Sequence, residues 1–232
     1  MSRKTIYFHH SMLIFGILLV LLVVVVGLIF FGALSIAFRD VGFSPFAIFL
    51  VLAGTLIGSF INIPLFKLRS RTSMVREEYV NSFGLTYRVP RLEYGQTTTT
   101  LAINVGGALI PTAVSVYLLA RSAASIILLG LLAVLMVAIV THAVARPVKG
   151  VGVTTPVFIS PIAAAIIAVI LSPAHPVTIA YVGGVLGTLI GADLSNLRKI
   201  PDLGAPMASI GGAGTFDGVF LSGIIAVLLA GL

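Results

Sequence analysis

Long runs of apolar residues, separated by short polar segments that contain glycine or proline, dominate the chain. Several of these runs reach the length of about 18 apolar residues that is typical of a membrane-spanning helix. The pattern therefore predicts seven transmembrane helices. Their predicted ranges are 12–37, 43–66, 97–120, 123–145, 155–172, 176–194 and 208–231. The expected fold class is all-α: a polytopic membrane helix bundle in which residues 1–232 form a single transmembrane domain.

Composition supports the same interpretation. Of the 232 residues, 59% are hydrophobic and only 9% are charged, whereas a soluble domain carries about 25% charged residues. So few charges cannot cover a water-facing surface, which argues against a soluble enzyme or a nucleic-acid-binding protein. The chain has no cysteine, which excludes a disulfide scaffold, thiolate catalysis and cysteine metal sites.

The positions of the basic residues predict the orientation in the membrane. Of the 14 Lys and Arg residues, 12 precede helix 1 or follow helices 2, 4 and 6, and only Arg39 and Arg121 fall on the other side. By the positive-inside rule, the amino terminus is expected in the cytoplasm and the carboxyl terminus outside. The expected location is the cell membrane, with multiple spans and the lipid bilayer as partner. The first helix is too long for a signal-peptide core, so we expect a retained anchor.

One large basic segment, 67–96, is expected to form a cytoplasmic loop. It contains six basic residues together with Glu77, Glu78 and Glu93. Two interpretations remain open for it. It is either a solvated loop that orients the protein, partly helical around 72–83, or a docking surface for anionic lipid or a partner.

Two aspartates are predicted to lie within the membrane, where a carboxylate is costly unless it has a function or a partner. Asp193 ends the predicted helix 6, and Asp217 lies about nine residues into helix 7, after a glycine-rich run. The antiparallel direction of these helices places both in the cytoplasmic half of the bilayer, and they are the candidate catalytic residues. A simpler role for Asp193 is a loop turn or an ion pair with Arg198.

Further polar and glycine residues are expected at the same depth, where they would line a cavity open to the cytoplasm. The candidate substrate-binding residues are Gly212, Gly214, Thr215, Asn104 and His142. A glycine-rich stretch can unwind and let water or a substrate backbone approach. The simpler alternatives are a hydrogen bond from Asn104 to a neighbouring helix and an interfacial position for His142. The four histidines form no paired motif, so no metal or cofactor is expected.

Three stretches carry a family resemblance. Thr188 to Gly223, together with His142-Ala143-Val144-Ala145-Arg146-Pro147 and Asn104-Val105-Gly106-Gly107, resembles an uncharacterised family of bacterial and archaeal integral membrane proteins, a domain of unknown function. The resemblance covers most of the chain from about residue 97 and implies no activity.

The two aspartates also resemble, at the level of a motif, the intramembrane aspartyl proteases of the presenilin, signal peptide peptidase and prepilin peptidase type. In presenilin the second aspartate follows glycine directly, whereas here Thr215 and Phe216 separate Gly214 from Asp217. The resemblance implies hydrolysis of a transmembrane peptide by two carboxylates that share one proton.

A transporter or channel explains nearly the same features. In this alternative, helices broken near 104–111 and 211–218 expose backbone groups to a small solute or cation, and Asp217 binds the cation or relays a proton. An enzyme acting on a lipid headgroup is a third alternative, with Arg146, Lys149, Arg198 and Lys199 holding phosphate. No nucleic-acid partner is expected in any of these cases.

Overall fold

A computed structural model describes residues 10–39, 42–82, 85–150, 152–212 and 218–231. The described chain is mostly helical, with seven α-helices. They are α1 (His10–Arg39), α2 (Pro45–Gly58), α3 (Ile110–Ala120), α4 (Ala124–Val144), α5 (Ile159–Leu171), α6 (Pro176–Thr188) and α7 (Gly218–Ala230). Two π-helical turns, Val105–Leu109 and Leu189–Asp193, precede α3 and follow α6, and the 3-10 helix Leu194–Leu203 comes next.

Two helical stretches among the described residues are long and apolar enough to cross a bilayer. Ala124–Val144 is α4, with a mean hydropathy of 2.8, and Pro176–Leu203 joins α6 to the second π-helical turn and the 3-10 helix. At about 1.5 Å per residue, α4 alone matches the roughly 30 Å of a hydrocarbon core. Five other apolar helical stretches are shorter, each of 10–17 residues, and the one within α1 covers Ile14–Ile29.

Glycines let α6 pack closely against α4. Gly183 and Gly187 of α6 and Gly191 of the following π-helical turn recur every four residues, and all three face α4. A Cβ atom added to Gly187 would lie 2.6 Å from Cβ of Val137, and one added to Gly183 would lie 3.1 Å from Cβ of Ala133. This spacing of small residues is typical of closely packed membrane helices.

Buried hydroxyl pairs connect the helices around α6. Thr141 on α4 and Ser160 on α5 have their hydroxyl oxygens 2.9 Å apart, and Thr188 on α6 donates to Ser222 on α7 at 3.0 Å. All four residues are buried. Burying a hydroxyl is costly unless it forms a hydrogen bond, so each pair satisfies the two hydroxyl groups that it buries.

The described residues of the segment 67–96 form the two strands of a β-hairpin, so the helix expected around 72–83 is wrong. Strands β1 (Asn62–Ser82) and β2 (Leu85–Asn104) pair antiparallel, and a short strand β5 (Met207–Ile210) pairs in parallel with β2. Predicted helix 2 ends early, at Gly58, and predicted helix 3 starts late because Thr97–Thr100 belongs to β2. The length of a hydrophobic run does not show that it ends in a strand. The threonines at 97–100 did carry that signal, because β-branched residues favour strands.

Predicted helix 7 also begins later than expected. Residues 207–210 form β5, and α7 starts at Gly218. By contrast, the predicted helix 123–145 agrees closely with α4. The prediction failed where apolar residues adopt an extended conformation, which a hydropathy pattern does not distinguish from a helix.

Three chain segments meet at one end of the bundle, which we call the sheet end. The 3-10 helix contacts β1 and also the small hairpin of β3 (Arg146–Val148) and β4 (Gly152–Thr154). The amide N–H of Gly150 donates to the carbonyl oxygen of Leu203 at 2.7 Å. The segments that follow α2, α4 and α6 therefore lie together.

Candidate functional site

Asp193 is held at the sheet end by a backbone hydrogen bond. It is the last residue of the second π-helical turn, and its Oδ2 accepts from the amide N–H of Gly211 at 2.8 Å. The side chain is partly buried. A π-helical turn inserts an extra residue into a helix and is frequent at functional sites. The turn thus redirects the end of α6 and places a carboxylate against the loop that follows β5.

Gly211 also contacts the first π-helical turn. A Cβ atom added to Gly107 would overlap the carbonyl oxygen of Gly211, and one added to Gly211 would lie 2.6 Å from Cβ of Ala108. Gly211 has a φ of 79°, a left-handed conformation that favours glycine. One glycine therefore joins both π-helical turns, by backbone contact with the first and by a hydrogen bond to Asp193 of the second.

Asn104 lies in a network of short hydrogen bonds. Its Nδ2 donates to the carbonyl oxygen of Ser59 at 2.7 Å and to Oδ1 of Asn62 at 3.0 Å. Its Oδ1 accepts from the amide N–H of Gly107 at 2.6 Å. Asn104 is only 1% exposed. The side chain therefore ties the end of α2 and the start of β1 to the first π-helical turn, while the predicted role in substrate binding stays a prediction.

Ser209, which was not among the predicted site residues, extends this network. Its hydroxyl donates to Oδ1 of Asn62 at 2.6 Å and connects β5 to β1 across β2. The sequence contains a signal for it, because Ser209 interrupts an apolar segment two residues before the glycine run. The network thus fixes β5 and, through it, Gly211.

His142 and Ser195 form a separate, exposed pair beside the second π-helical turn. Nδ1 of His142 lies 2.8 Å from Oγ of Ser195 and 3.3 Å from the carbonyl oxygen of Gly191. The hydroxyl of Ser195 also donates to that carbonyl oxygen at 2.6 Å. Sequence analysis selected His142 but not Ser195, which follows Asp193 by two residues. The pair connects the end of α4 to the chain just beyond Asp193.

The remaining predicted site residues divide into described and undescribed ones. Gly212 follows β5 with a φ of 90°, and its amide N–H donates to the carbonyl oxygen of Ser209 at 3.1 Å. Gly214, Thr215 and Asp217 lie outside the described residues. The structure therefore brings Asp193 to the glycine run that leads to Asp217, and the described chain resumes at Gly218.

No metal-binding group is found in the described ranges, where no three His, Asp or Glu side chains cluster. The chemical groups that the structure does bring together are a carboxylate, backbone amides, asparagine amides and hydroxyls. These groups can bind or polarise a peptide, water or a small cation.

Comparison with known proteins identifies the family without an activity. No curated protein and no solved structure matches the chain. The family model described as "Protein of unknown function (DUF1614)" matches residues 56–229, which is well over half of the chain and includes Asn104, His142, Asp193 and Asp217. This confirms the resemblance to a family of unknown function, and the chain belongs to the DUF1614 family.

Proposed function

We propose that this protein is a multi-pass protein of the cell membrane that hydrolyses a transmembrane peptide with an Asp193/Asp217 dyad. The observation that carries the proposal is the hydrogen bond from Gly211 to Asp193. It fixes the first carboxylate to the glycine run that precedes the second. On the other side of Asp217, α7 begins at Gly218 and packs against the first π-helical turn.

Embedding in a bilayer is supported by the exposed surface of the helices. Large apolar side chains are exposed along the bundle, among them Ile170 at 73% and Leu128 at 69%. A continuous apolar surface of this kind is unfavourable in water and typical of contact with lipid. We propose that all seven helices are embedded in this way.

The proposed orientation has the sheet end in the cytoplasm. The segments that follow α2, α4 and α6 carry ten of the basic residues and lie together at this end. By the positive-inside rule the amino terminus is then cytoplasmic and the carboxyl terminus is outside. The proposed dyad opens toward the cytoplasm in this orientation.

The proposed chemistry needs one proton shared by two carboxylates. When carboxylates approach to about 3 Å, both cannot ionise, so one is protonated and the other is not. The ionised carboxylate accepts a proton from water as the water oxygen attacks the peptide carbonyl carbon. The protonated carboxylate donates to the carbonyl oxygen, and collapse of the tetrahedral species breaks the C–N bond as the nitrogen takes up a proton.

The edge of the sheet supports a peptide as the substrate. Among the described strands, β5 pairs with β2 on one side only, and it ends at Ile210, next to the glycine that binds Asp193. An edge strand presents backbone N–H and C=O groups to which an extended peptide can add. A peptide bound in this way would run toward Asp193 with its backbone unwound, as hydrolysis requires.

One observation favours a second candidate function, transport of a cation or small solute. The two π-helical turns form the start of one helical stretch and the end of α6, and both lie next to the same glycine, Gly211. Helix ends within the membrane form the binding sites of many transporters. In this alternative Asp217 binds the cation or relays the proton, and Asp193 has only a structural role.

The experiment is cleavage of a model transmembrane peptide by the purified protein in liposomes. We expect cleavage by the wild type and its loss in both Asp193→Asn and Asp217→Asn. Asp202→Asn is the matched control, since it makes the same change at an exposed position of the 3-10 helix and is expected to retain activity. Thermal unfolding in detergent shows whether each variant is folded. Cation flux that survives Asp193→Asn and is lost in Asp217→Asn, without peptide cleavage, would contradict the hydrolase and support transport.

A further inference from the structure

The two faces of the β1–β2 hairpin differ where the hairpin leaves the bundle. Leu68 packs against the hydrophobic core, and its register partner Thr99 is buried. Lys67 and Arg69, on the opposite face, are exposed. Because side chains alternate along a strand, Arg71 occupies a position on the same face as Lys67 and Arg69. We call these three residues the basic strand face.

The cross-strand register gives the basic strand face only neutral partners. Lys67 pairs with Thr100, Arg69 with Thr98, and Arg71 with Gln96. Directly opposite residues on antiparallel strands are the nearest cross-strand neighbours. The three positive charges therefore have no carboxylate directly across the hairpin, and about 7 Å of strand separates each from the next.

Exposed apolar residues precede the basic strand face directly. Phe60 is 74% exposed and Phe66 is 54% exposed, and Ile63 and Leu65 between them are also exposed. Lys67 is the next residue. The order of apolar, aromatic and then basic side chains is typical of the boundary between the hydrocarbon core and the lipid headgroups. This order places the basic strand face at the level of the headgroups.

The neighbouring 3-10 helix adds to the positive charge. It contacts β1 and carries Arg198 and Lys199, with Asp202 as its only carboxylate within Leu194–Leu203. Lys199 donates to Oδ1 of Asn196 at 2.9 Å, a neutral partner. The 3-10 helix therefore adds a net charge of +1, from two basic residues and one carboxylate, to this part of the sheet end.

We propose that the basic strand face is a binding site for the headgroups of anionic phospholipids in the adjacent leaflet. The lipid phosphate would accept hydrogen bonds from the guanidinium and ammonium groups, while its acyl chains contact the exposed apolar residues before Lys67. This proposal requires that the bundle is embedded in a bilayer, but it is independent of the proposed hydrolase activity. It accounts for a face that has three cations and neutral cross-strand partners.

The test measures the selectivity of the reconstituted protein for spin-labelled phosphatidylglycerol over spin-labelled phosphatidylcholine by electron paramagnetic resonance. The test variant is Lys67→Gln/Arg69→Gln/Arg71→Gln. The matched control is Arg76→Gln/Arg88→Gln/Arg91→Gln, which removes the same charge from positions farther along the hairpin. We expect a preference of about fivefold in the wild type, in keeping with headgroup attraction to basic residues. We expect it to fall at least by half in the test variant and to stay unchanged in the control.

Two results would overturn the proposal. In one, the test variant keeps the wild-type preference for phosphatidylglycerol. In the other, both variants lose it equally, which would show that only the total charge matters. Circular dichroism of each variant establishes that the hairpin and bundle are still folded. Should the triple variant fail to fold, single substitutions provide a second measurement. We expect Arg69→Gln alone to reduce the preference for phosphatidylglycerol.

Discussion

Gly107 and Gly211 are in backbone contact, and a methyl group on Gly107 would overlap the carbonyl oxygen of Gly211. This contact joins the first π-helical turn to the loop that follows β5. The same Gly211 donates its amide N–H to Asp193. The position of the proposed catalytic carboxylate therefore depends on a close approach of two glycines that lie far apart in the sequence.

Replacement of Gly107 by alanine should destabilise the protein and disturb the site. The added methyl group meets backbone, which cannot move aside as a flexible side chain does, so we expect a loss of about 1–3 kcal/mol in the free energy of unfolding. Thermal unfolding in detergent measures it. Gly54→Ala is the control, because its Cβ atom would make an ordinary contact of 3.6 Å with Ile110. Equal stability of the two variants would contradict the close approach.

Replacement of Gly187 by alanine should separate α6 from α4. Its Cβ atom would lie 2.6 Å from Cβ of Val137, and we expect a loss of about 1–3 kcal/mol. Adding Val137→Ala should recover part of this stability, since it removes Cγ1 of Val137, which would lie 2.8 Å from the added atom. Gly27→Ala, which has open space around it, should not lower the melting temperature, because alanine favours a helix more than glycine does. The absence of any recovery in the double variant would argue against this packing.

The Thr188–Ser222 hydrogen bond should couple α6 to α7. Thr188→Val and Ser222→Ala should each lower the free energy of unfolding. Each removes one hydroxyl of the pair and leaves the other hydroxyl buried without this partner. The double variant should lose less than the sum, with a coupling energy of about 0.6 kcal/mol, as is typical of such bonds between membrane helices. A double-mutant cycle of unfolding free energies measures it, and strict additivity would contradict the bond.

Asn104→Leu should destabilise the protein more than the same substitution near the tip of the hairpin does. Asn104 is buried and makes three hydrogen bonds, so its loss leaves the amide of Gly107 and the side chain of Asn62 without that partner. We expect a cost of about 2–4 kcal/mol. Asn81→Leu, near the tip of the hairpin, is the control. A small effect of Asn104→Leu on unfolding, combined with loss of activity, would favour a role in substrate binding instead.

The sequence pattern predicted the helical class, the helix α4 and the grouping of basic segments, but it predicted none of the strands. Phe66 and Leu101 belong to apolar runs that a helix would also accept, and only pairing between distant segments makes them strands. For Asp193, only a depth shared with the glycine run was predicted, from the order and direction of the helices. Its hydrogen bond to Gly211 was not, because it depends on the π-helical turn and on the contact of Gly211 with Gly107, which no local pattern encodes.

The most direct test of the central claim is disulfide formation between Asp193→Cys and Asp217→Cys. The chain has no cysteine, so the double variant needs no further change, and trypsin cleavage at Arg198 and Lys199 separates the two positions for mass spectrometry. Thr141→Cys/Ser160→Cys is the positive control, since those hydroxyl oxygens are 2.9 Å apart. Ser122→Cys/Asp193→Cys is the negative control, because the two positions lie at opposite ends of α4. Ser122 precedes the start of α4, whereas Gly191, two residues before Asp193, contacts His142 near the end of α4.

A disulfide requires Cα atoms within about 7 Å of each other. The dyad predicts that mild oxidation joins residues 193 and 217 as readily as it joins the positive control. Efficient linkage of the control pair without any 193–217 linkage would contradict the dyad and, with it, the proposed hydrolysis.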